Sequence, residues 1–324
     1  MITNEMKIEC DKRQEEIAAD EKFQQWISDI RCCVNMYKNV QDDRIRLSNQ
    51  SKKTKTGENQ KIPENQKWKI SDEQIKFNDE TIEDRKQIEQ SVKTRLETLV
   101  KNDDYPIYNN FLKYITGLGG VSSSILLCTF RPENIYYVSN MYAYAGIVTG
   151  KDRLIKGQKS TFDTYLKSKL LGVIGTNFIK LKSEYALYYY QKRIHLINRD
   201  IQLVAQGKMS KKIGEQEEGK LKRPSAAHHS RMAIRHMIQM FVRDYYVGYR
   251  TIMGIPVVPG YAEDVLNLNH VGESFVNFNI IQSWASETKD ERAERRQNTL
   301  RQIDESRKTL QELMIRYDYK ESEC

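Results

Sequence analysis

The sequence predicts a mainly helical, all-α protein, with a helix-hairpin-helix core carrying helical extensions on its N- and C-terminal sides. Three observations carry this reading. Apolar residues recur at three- to four-residue steps over most of the 324 residues. A composition of 39% hydrophobic and 30% charged residues fits a water-soluble, helix-rich chain with polar extensions. Between two short apolar runs lies the glycine-rich stretch Thr116 to Gly120, the pattern of a tight turn joining helices. The expected division is 1–104, a helical region; 105–260, a DNA-binding domain; and 261–324, a loop region with a long charged helix.

Residues 1–47 read as one amphipathic helix, with Ile17, Phe23, Ile27, Ile30, Val34 and Tyr37 on its apolar stripe. Residues 48–69 are polar, marked by Gly57 and Pro63, and read as a linker. Helix resumes over 71–101, capped by Ser71, with Ile75, Ile82, Ile88, Val92, Leu96 and Leu99 on one side. These two helices suit a hairpin packed on itself, on the core or on a second subunit.

Phe111, Leu112, Tyr114 and Ile115 form the next helical run, which stops at Gly117-Leu118-Gly119-Gly120 and restarts at Val121-Ser122. Glycines permit φ > 0, and Ser122, Ser123 and Ser124 are small enough for a close helix contact. The turn's free N–H groups and the positive end of the second helix's dipole suit an anion such as a DNA phosphate. The pattern resembles the helix-hairpin-helix DNA-binding motif.

That resemblance continues through Asn134 to Ile147, where Ser139 and Tyr142-Ala143-Tyr144-Ala145-Gly146 follow the hairpin. The order of blocks over 108–250 is similar to the C-terminal domain of insertion-sequence transposases that pair a RuvC-like DEDD nuclease half with a serine-bearing transposase domain. The resemblance implies a DNA-handling scaffold. It does not bring the chemistry with it. Residues 1–104 show no aspartate-bearing strand, and where the family's serine belongs this chain reads Val148-Thr149-Gly150-Lys151-Asp152. Ser160, the nearest serine downstream, lies close to the next helix.

Residues 149–160 read as a basic loop, and Thr161 as the cap of a helix from Phe162 carrying Tyr165, Leu166, Leu170, Val173 and Ile174 towards a core. A tyrosine-rich helix follows over 180–193; Tyr185, Tyr188, Tyr189 and Tyr190 cannot share one face, so core packing is preferred to base stacking. Residues 206–224 read as an exposed, mobile insertion. From Ser225 a helix buries Met232, Ile234, Met237, Ile238, Phe241, Val242 and Tyr245, and Pro256 and Pro259 bar its continuation. Residues 260–283 read as loop with a short helix. Over 286–318 the apolar residues Ala293, Leu300, Ile303, Leu310, Leu313 and Ile315 approach heptad spacing in the second half, a long helix suited to a helical partner, including a second copy.

Charge is unevenly spread. Residues 151–250 hold 21 Lys and Arg against 8 Asp and Glu, a net +13 in a chain whose total is +8. A phosphate-binding turn beside such a block points to nucleic acid. The candidate DNA contacts are Gly117, Leu118, Gly119, Gly120, Val121 and Ser122 in the turn, and Lys151, Lys156, Lys159, Lys167, Lys169, Arg231 and Arg235 in the basic block, with Arg243 near the same helix side.

Five cysteines without C-x-x-C spacing argue against a disulfide framework and against zinc; His228, His229 and His236 read as facing solvent or phosphate. No P-loop, dinucleotide fingerprint, zinc-protease or nucleophile-elbow motif is present, so no cofactor, metal or catalytic residue is expected. No apolar run is long enough for a membrane span, and the expected location is cytoplasmic, nucleoid-associated or nuclear. The function expected is non-catalytic binding of the duplex DNA backbone, RNA remaining open as a ligand, with self-association through the terminal helices. Two alternatives stand beside it: an active recombinase using Ser160 or another hydroxyl, and a scaffold whose glycine turn only joins helices.

Overall fold

The computed structural model describes residues 3–56, 71–148, 157–259 and 275–319. It is mainly helical. The chain forms two compact units. The smaller comprises Asp20–Asn102 and Gly119–Thr129; the larger comprises Met1–Ala19, Asp103–Leu118 and Phe130–Cys324. This differs from the three-part division read from the sequence: the second helix of the expected hairpin groups with the N-terminal helices, and the unit boundary falls within the glycine turn.

The expected N-terminal helix is two. α1 (Asn4–Ala19) ends before Asp20, and α2 (Glu21–Thr56) begins after it. Asp20 caps α2, its carboxylate accepting from the Phe23 amide at 3.0 Å. α2 also runs into the segment expected to be linker; residues 57–70 lie outside the described residues. α3 (Asp72–Leu99) is capped by Ser71 as expected, accepting from the Gln74 amide. Trp26 Nε1 donates to the Leu99 carbonyl at 2.8 Å, and Arg44 pairs with Glu89, so α2 and α3 run antiparallel. Against both lies α5 (Gly120–Thr129), where Ile125, Leu126 and Leu127 meet a core that includes Phe23, Trp26, Ile27, Ile30, Val92 and Leu96.

In the larger unit the helix expected before the turn is one α-helical turn, α4 (Ile107–Asn110), then a 3₁₀ turn, Leu112–Tyr114. Phe111, at φ −142°, ψ −67°, breaks between them. α6 (Val138–Tyr144) follows, then α7 (Thr164–Ser168), capped by Asp163 rather than Thr161. A π-helical turn, Lys169–Ile174, leads into α8 (Gly175–Lys180). Lys182 at φ +50° ends that run, so the tyrosine helix is a separate element, α9 (Ala186–Ala205).

The centre of this unit is α10 (Ala226–Ile252), capped by Ser225. Met237, Ile238, Phe241, Val242, Tyr245 and Tyr249 are fully buried. Between α9 and α10 the expected exposed insertion instead holds two short paired strands, β1 (Met209–Ile213) and β2 (Leu221–Arg223), with parallel, irregular register. Met209, Ser210 and Arg223 are buried, and Arg223 reaches the Lys211 and Tyr317 carbonyls and the Tyr319 hydroxyl.

α11 (Phe278–Ser283) is the short helix expected before the C-terminal one. α12 (Lys289–Arg316) opens on a capping box between Thr288 and Glu291. Of the residues read as its stripe Ile303 and Leu310 are buried, whereas Ile315 is 83% exposed; Thr299, Ser306 and Met314 complete the buried seam, which packs on α9 of the same chain. Gln191 donates to the Ser306 hydroxyl at 3.2 Å, and Arg296 binds the Leu181 and Lys182 carbonyls. The apolar stripe read as suited to a second helix is therefore occupied within the chain. Among the described residues no helix is long and apolar enough to cross a membrane.

Candidate nucleic-acid interface

The glycine turn has distinct reasons for each glycine. Gly117 takes φ +91°, and a Cβ there would stand 3.3 Å from the Asn177 carbonyl oxygen and the Phe178 ring. Gly119 is exposed, with nothing within 4 Å of such a Cβ. Gly120 is buried, and its Cβ would lie 2.9 Å from Glu97 Cγ and 3.1 Å from Glu97 Cα. Close approach of α5 to α3 thus requires Gly120, and Ser124 adds a hydrogen bond to the Leu96 carbonyl at 3.4 Å. Leu118 is buried, while Val121 and Ser122 are half-buried. The Cα, Cβ and Cγ of Glu97 lie across the first residue of α5.

Within the basic block the structure separates the predicted residues. Lys151 and Lys156 lie outside the described residues. Lys159 is exposed in the loop before α7. Lys167 sits over the Phe162 ring at 4.5 Å and Lys169 over the Tyr165 ring at 5.2 Å, so both stems are held against aromatic surface. Arg231 is exposed on α10, and Arg235, one turn further, is half-buried.

Those two arginines belong to a longer cationic face built by α9 and α10 together. On α9, Lys192, His195 and Arg199 recur at i, i+3 and i+7, one side of a helix. Opposite them α10 presents His228, Arg231, Arg235, His236 and Arg243. The electrostatics show how closely these groups stand. Burial first, then the charges of Lys192, Arg243 and His195, push His236 down to about 4. Burial, followed by His229, Arg231 and Arg235, lowers His228. Lys192 and Arg231 have no ion-pair partner among the described residues. Arg199 and Arg243 do, pairing with Asp200 at 2.8 Å and Asp244 at 3.3 Å, and the side chains of both acids are almost wholly buried. Outward-facing charge along this surface is therefore predominantly positive. At 1.5 Å rise per residue, Arg231 and Arg235 are spaced by about 6 Å along the axis and Arg235 and Arg243 by about 12 Å, a ladder suited to successive phosphates.

The face is held rigid from below. Tyr185 donates to Asp244 at 2.9 Å, Tyr188 to the Val276 carbonyl at 3.0 Å, and Tyr189 shares a hydrogen bond with Ser230 at 3.0 Å. Phe178, Tyr185 and Phe241 pack ring on ring at 5.2 to 5.5 Å. Tyr185, Tyr188 and Tyr189 are buried core residues, as preferred from the sequence, and Tyr190 packs against the α12 cluster.

Lys192, His195 and Arg199 are absent from the candidates read in the sequence because the tyrosines dominate the pattern of the same helix. The i, i+3, i+7 spacing of the three basic residues is the signal that marks them. Ser160 is engaged locally: its hydroxyl donates to the Phe162 carbonyl at 2.6 Å and accepts from the Phe162 amide at 3.2 Å. Among the described residues no group of three or more His, Cys, Asp or Glu is placed to hold a metal.

Comparison of the chain with protein families, with curated proteins and with solved structures finds no match.

Proposed function

We propose that this chain is a non-catalytic DNA-binding protein that grips the duplex backbone through the α9–α10 face, with the glycine turn as a secondary contact. The observation that carries the reading is the alignment of Lys192, His195, Arg199, Arg231, Arg235 and Arg243 along two packed helices, with the neighbouring acids turned inward. Such a ladder recognises a polyanion by charge and spacing and reads little sequence. The resemblance to the transposase C-terminal domain agrees with this reading, as a binding scaffold separated from its nuclease. The local engagement of Ser160 gives the recombinase alternative no support.

Fluorescence anisotropy with a random-sequence duplex at two salt concentrations tests the proposal. Binding should weaken steeply with salt, and replacing Lys192 and Arg231 together by alanine should lower the slope of log K against log salt by about two units, roughly one for each phosphate no longer neutralised. Duplex RNA and single-stranded DNA, run alongside, rank the ligand. A wild-type slope near zero refutes the electrostatic reading, and an unchanged slope in a folded double variant moves the interface elsewhere.

A further inference from the structure

One face of the α2–α3 hairpin is apolar and exposed. α5 lies along the opposite face, where Arg31 donates to the Cys128 carbonyl at 3.1 Å and Glu97 meets Gly120. On α2, Met36, Val40 and Leu47 stand about 140–180° round the helix from Arg31; on α3, Phe77, Thr81 and Ile88 stand about 160–200° round from Glu97. Arg31 and Glu97 both turn towards α5, so the two trios share the side of the hairpin away from it. Met36 is 49% exposed, Phe77 61% and Ile88 40%, while Val40 is buried and Leu47 and Thr81 are half-buried. Single exposed apolar residues are ordinary, but a row of them on two adjoining helices marks an interaction surface.

We propose that this face docks on the same face of a second copy, forming an antiparallel four-helix bundle in which α2 of each chain lies on α3 of the other. Charge selects both the occupant and the pairing. Residues 36–56 of α2 hold six Lys and Arg against two Asp, a net +4, and residues 72–90 of α3 hold three against seven Asp and Glu, a net −4. A two-fold axis parallel to the hairpin sets each basic helix on the partner's acidic one, and like-charged helices then face only across the diagonal. The other two-fold, perpendicular to the helices, would stack α3 on α3 and bring acid against acid. A different protein would have to present one basic and one acidic helix side by side, which this chain already does.

Register and size agree with this pairing. Trp26 bonds the Leu99 carbonyl and Arg44 pairs with Glu89, which puts Arg46 level with the stretch from Asp79 to Gln87 on α3. An axis parallel to the hairpin preserves height, so Arg46 comes level with Glu80 and Asp84 of the second copy. Its side chain is 70% exposed, and its own ion pair with Asp43, at 2.9 Å, lies on the surface. From Phe77 to Val92 the face runs about 24 Å, and two helices together are about 20 Å wide. Two such faces in contact bury roughly 1,000 Å², the size at which a stable interface begins.

Sedimentation equilibrium of the full-length protein over micromolar concentrations tests the proposal, with nucleic acid absent so that the outcome is separate from the DNA reading. The chain should be a dimer. Phe77→Asp combined with Ile88→Asp should weaken it at least about a hundredfold by placing unpaired acids in the interface, with helical circular dichroism unchanged because both positions are exposed. Ile45→Asp is the control: Ile45 is 44% exposed but in phase with Arg31, on the α5 side, and the dimer should survive its replacement. Arg46→Glu, which sets an acid against the partner's acidic helix, should weaken the dimer about fivefold. A monomeric wild type overturns the proposal, as does a dimer that survives the Phe77 and Ile88 substitutions or is lost equally with Ile45→Asp. Unchanged affinity in Arg46→Glu refutes the placing of α2 on the partner's α3.

Discussion

Asp200→Ala should be among the most damaging single substitutions in the larger unit. Asp200 and His229 have side chains at 0% exposure, and His229 Nε2 lies 2.9 Å from Asp200 Oδ2. The same oxygen accepts the Tyr319 hydroxyl at 3.2 Å, and Oδ1 accepts Arg199 at 2.8 Å. Removing the carboxylate strands a wholly buried imidazole and takes one of two partners from Tyr319, whose hydroxyl keeps Arg223 at 3.1 Å. The groups left short of a partner are polar rather than charged, and stranding a buried polar group costs about 1–3 kcal/mol. With a urea m-value of about 2 kcal/mol/M, the unfolding midpoint should drop by roughly 0.5–1.5 M. Arg199→Ala is the control, because that side chain is 41% exposed and its ion pair is worth at most about 1 kcal/mol. Burial pushes the Asp200 carboxyl up, yet the His229 and Arg199 hydrogen bonds outweigh it and hold the group below its usual value. Its contribution is therefore present above the unfolded carboxyl's pKa of about 3.9 and is lost as pH falls through the lower folded value. Acid unfolding followed by tryptophan fluorescence should show a shallower acid limb in Asp200→Asn. A urea midpoint for Asp200→Ala within about 0.2 M of wild type would mean that the network does not stabilise the fold as reasoned.

Other outcomes follow from the same packing. Gly120→Val should destabilise the smaller unit, since even a Cβ meets Glu97 at 2.9 Å; retained thermal stability would refute the close contact. Gly119→Asp, in open space, should leave the fold intact and weaken duplex binding at least tenfold, about 1.4 kcal/mol, if the turn touches phosphate; unchanged anisotropy removes the turn from the interface. Arg250→Ala should cost about 3 kcal/mol or more in chemical denaturation, because this fully buried guanidinium serves the Pro132, Ile135 and Pro256 carbonyls and each buried orphan costs about 1–3 kcal/mol. Duplex DNA with Mg²⁺ should yield no covalent protein adduct on a denaturing gel, and an adduct lost in Ser160→Ala would make the protein an enzyme.

Helical class was legible because burial follows the 3.6-residue period closely on α2, α3, α9 and α10. A cap with a side-chain acceptor was legible where nothing competed, as at Ser71, and misplaced where two candidates adjoined, as with Thr161 and Asp163. The break at Asp20 was missed although Ile17 and Phe23, six residues and about 240° apart, fall out of helical phase across it. Partner choice was not legible at all. The stripe on α12 and the small face of α5 each announce a close neighbour, but periodicity does not say whether that neighbour is α9, α3 or another molecule. The cationic face was half legible: one helix's arginines stood out, while the three basic residues opposite gained meaning only when the α9–α10 pairing placed them alongside.

The grouping of α5 with α2 and α3 bears on how the polypeptide is made. A ribosome releases residues 20–102 well before Thr129, and until then the apolar surface of α2 and α3 that receives Ile125, Leu126 and Leu127 has nothing to cover it. A fragment ending near residue 102 is thus a two-helix hairpin with an open greasy flank, prone to self-association, and not a separable domain. Supplying residues 119–129 as a free peptide should restore its solubility, which makes this short helix a natural point for splitting the protein into two chains that reassemble.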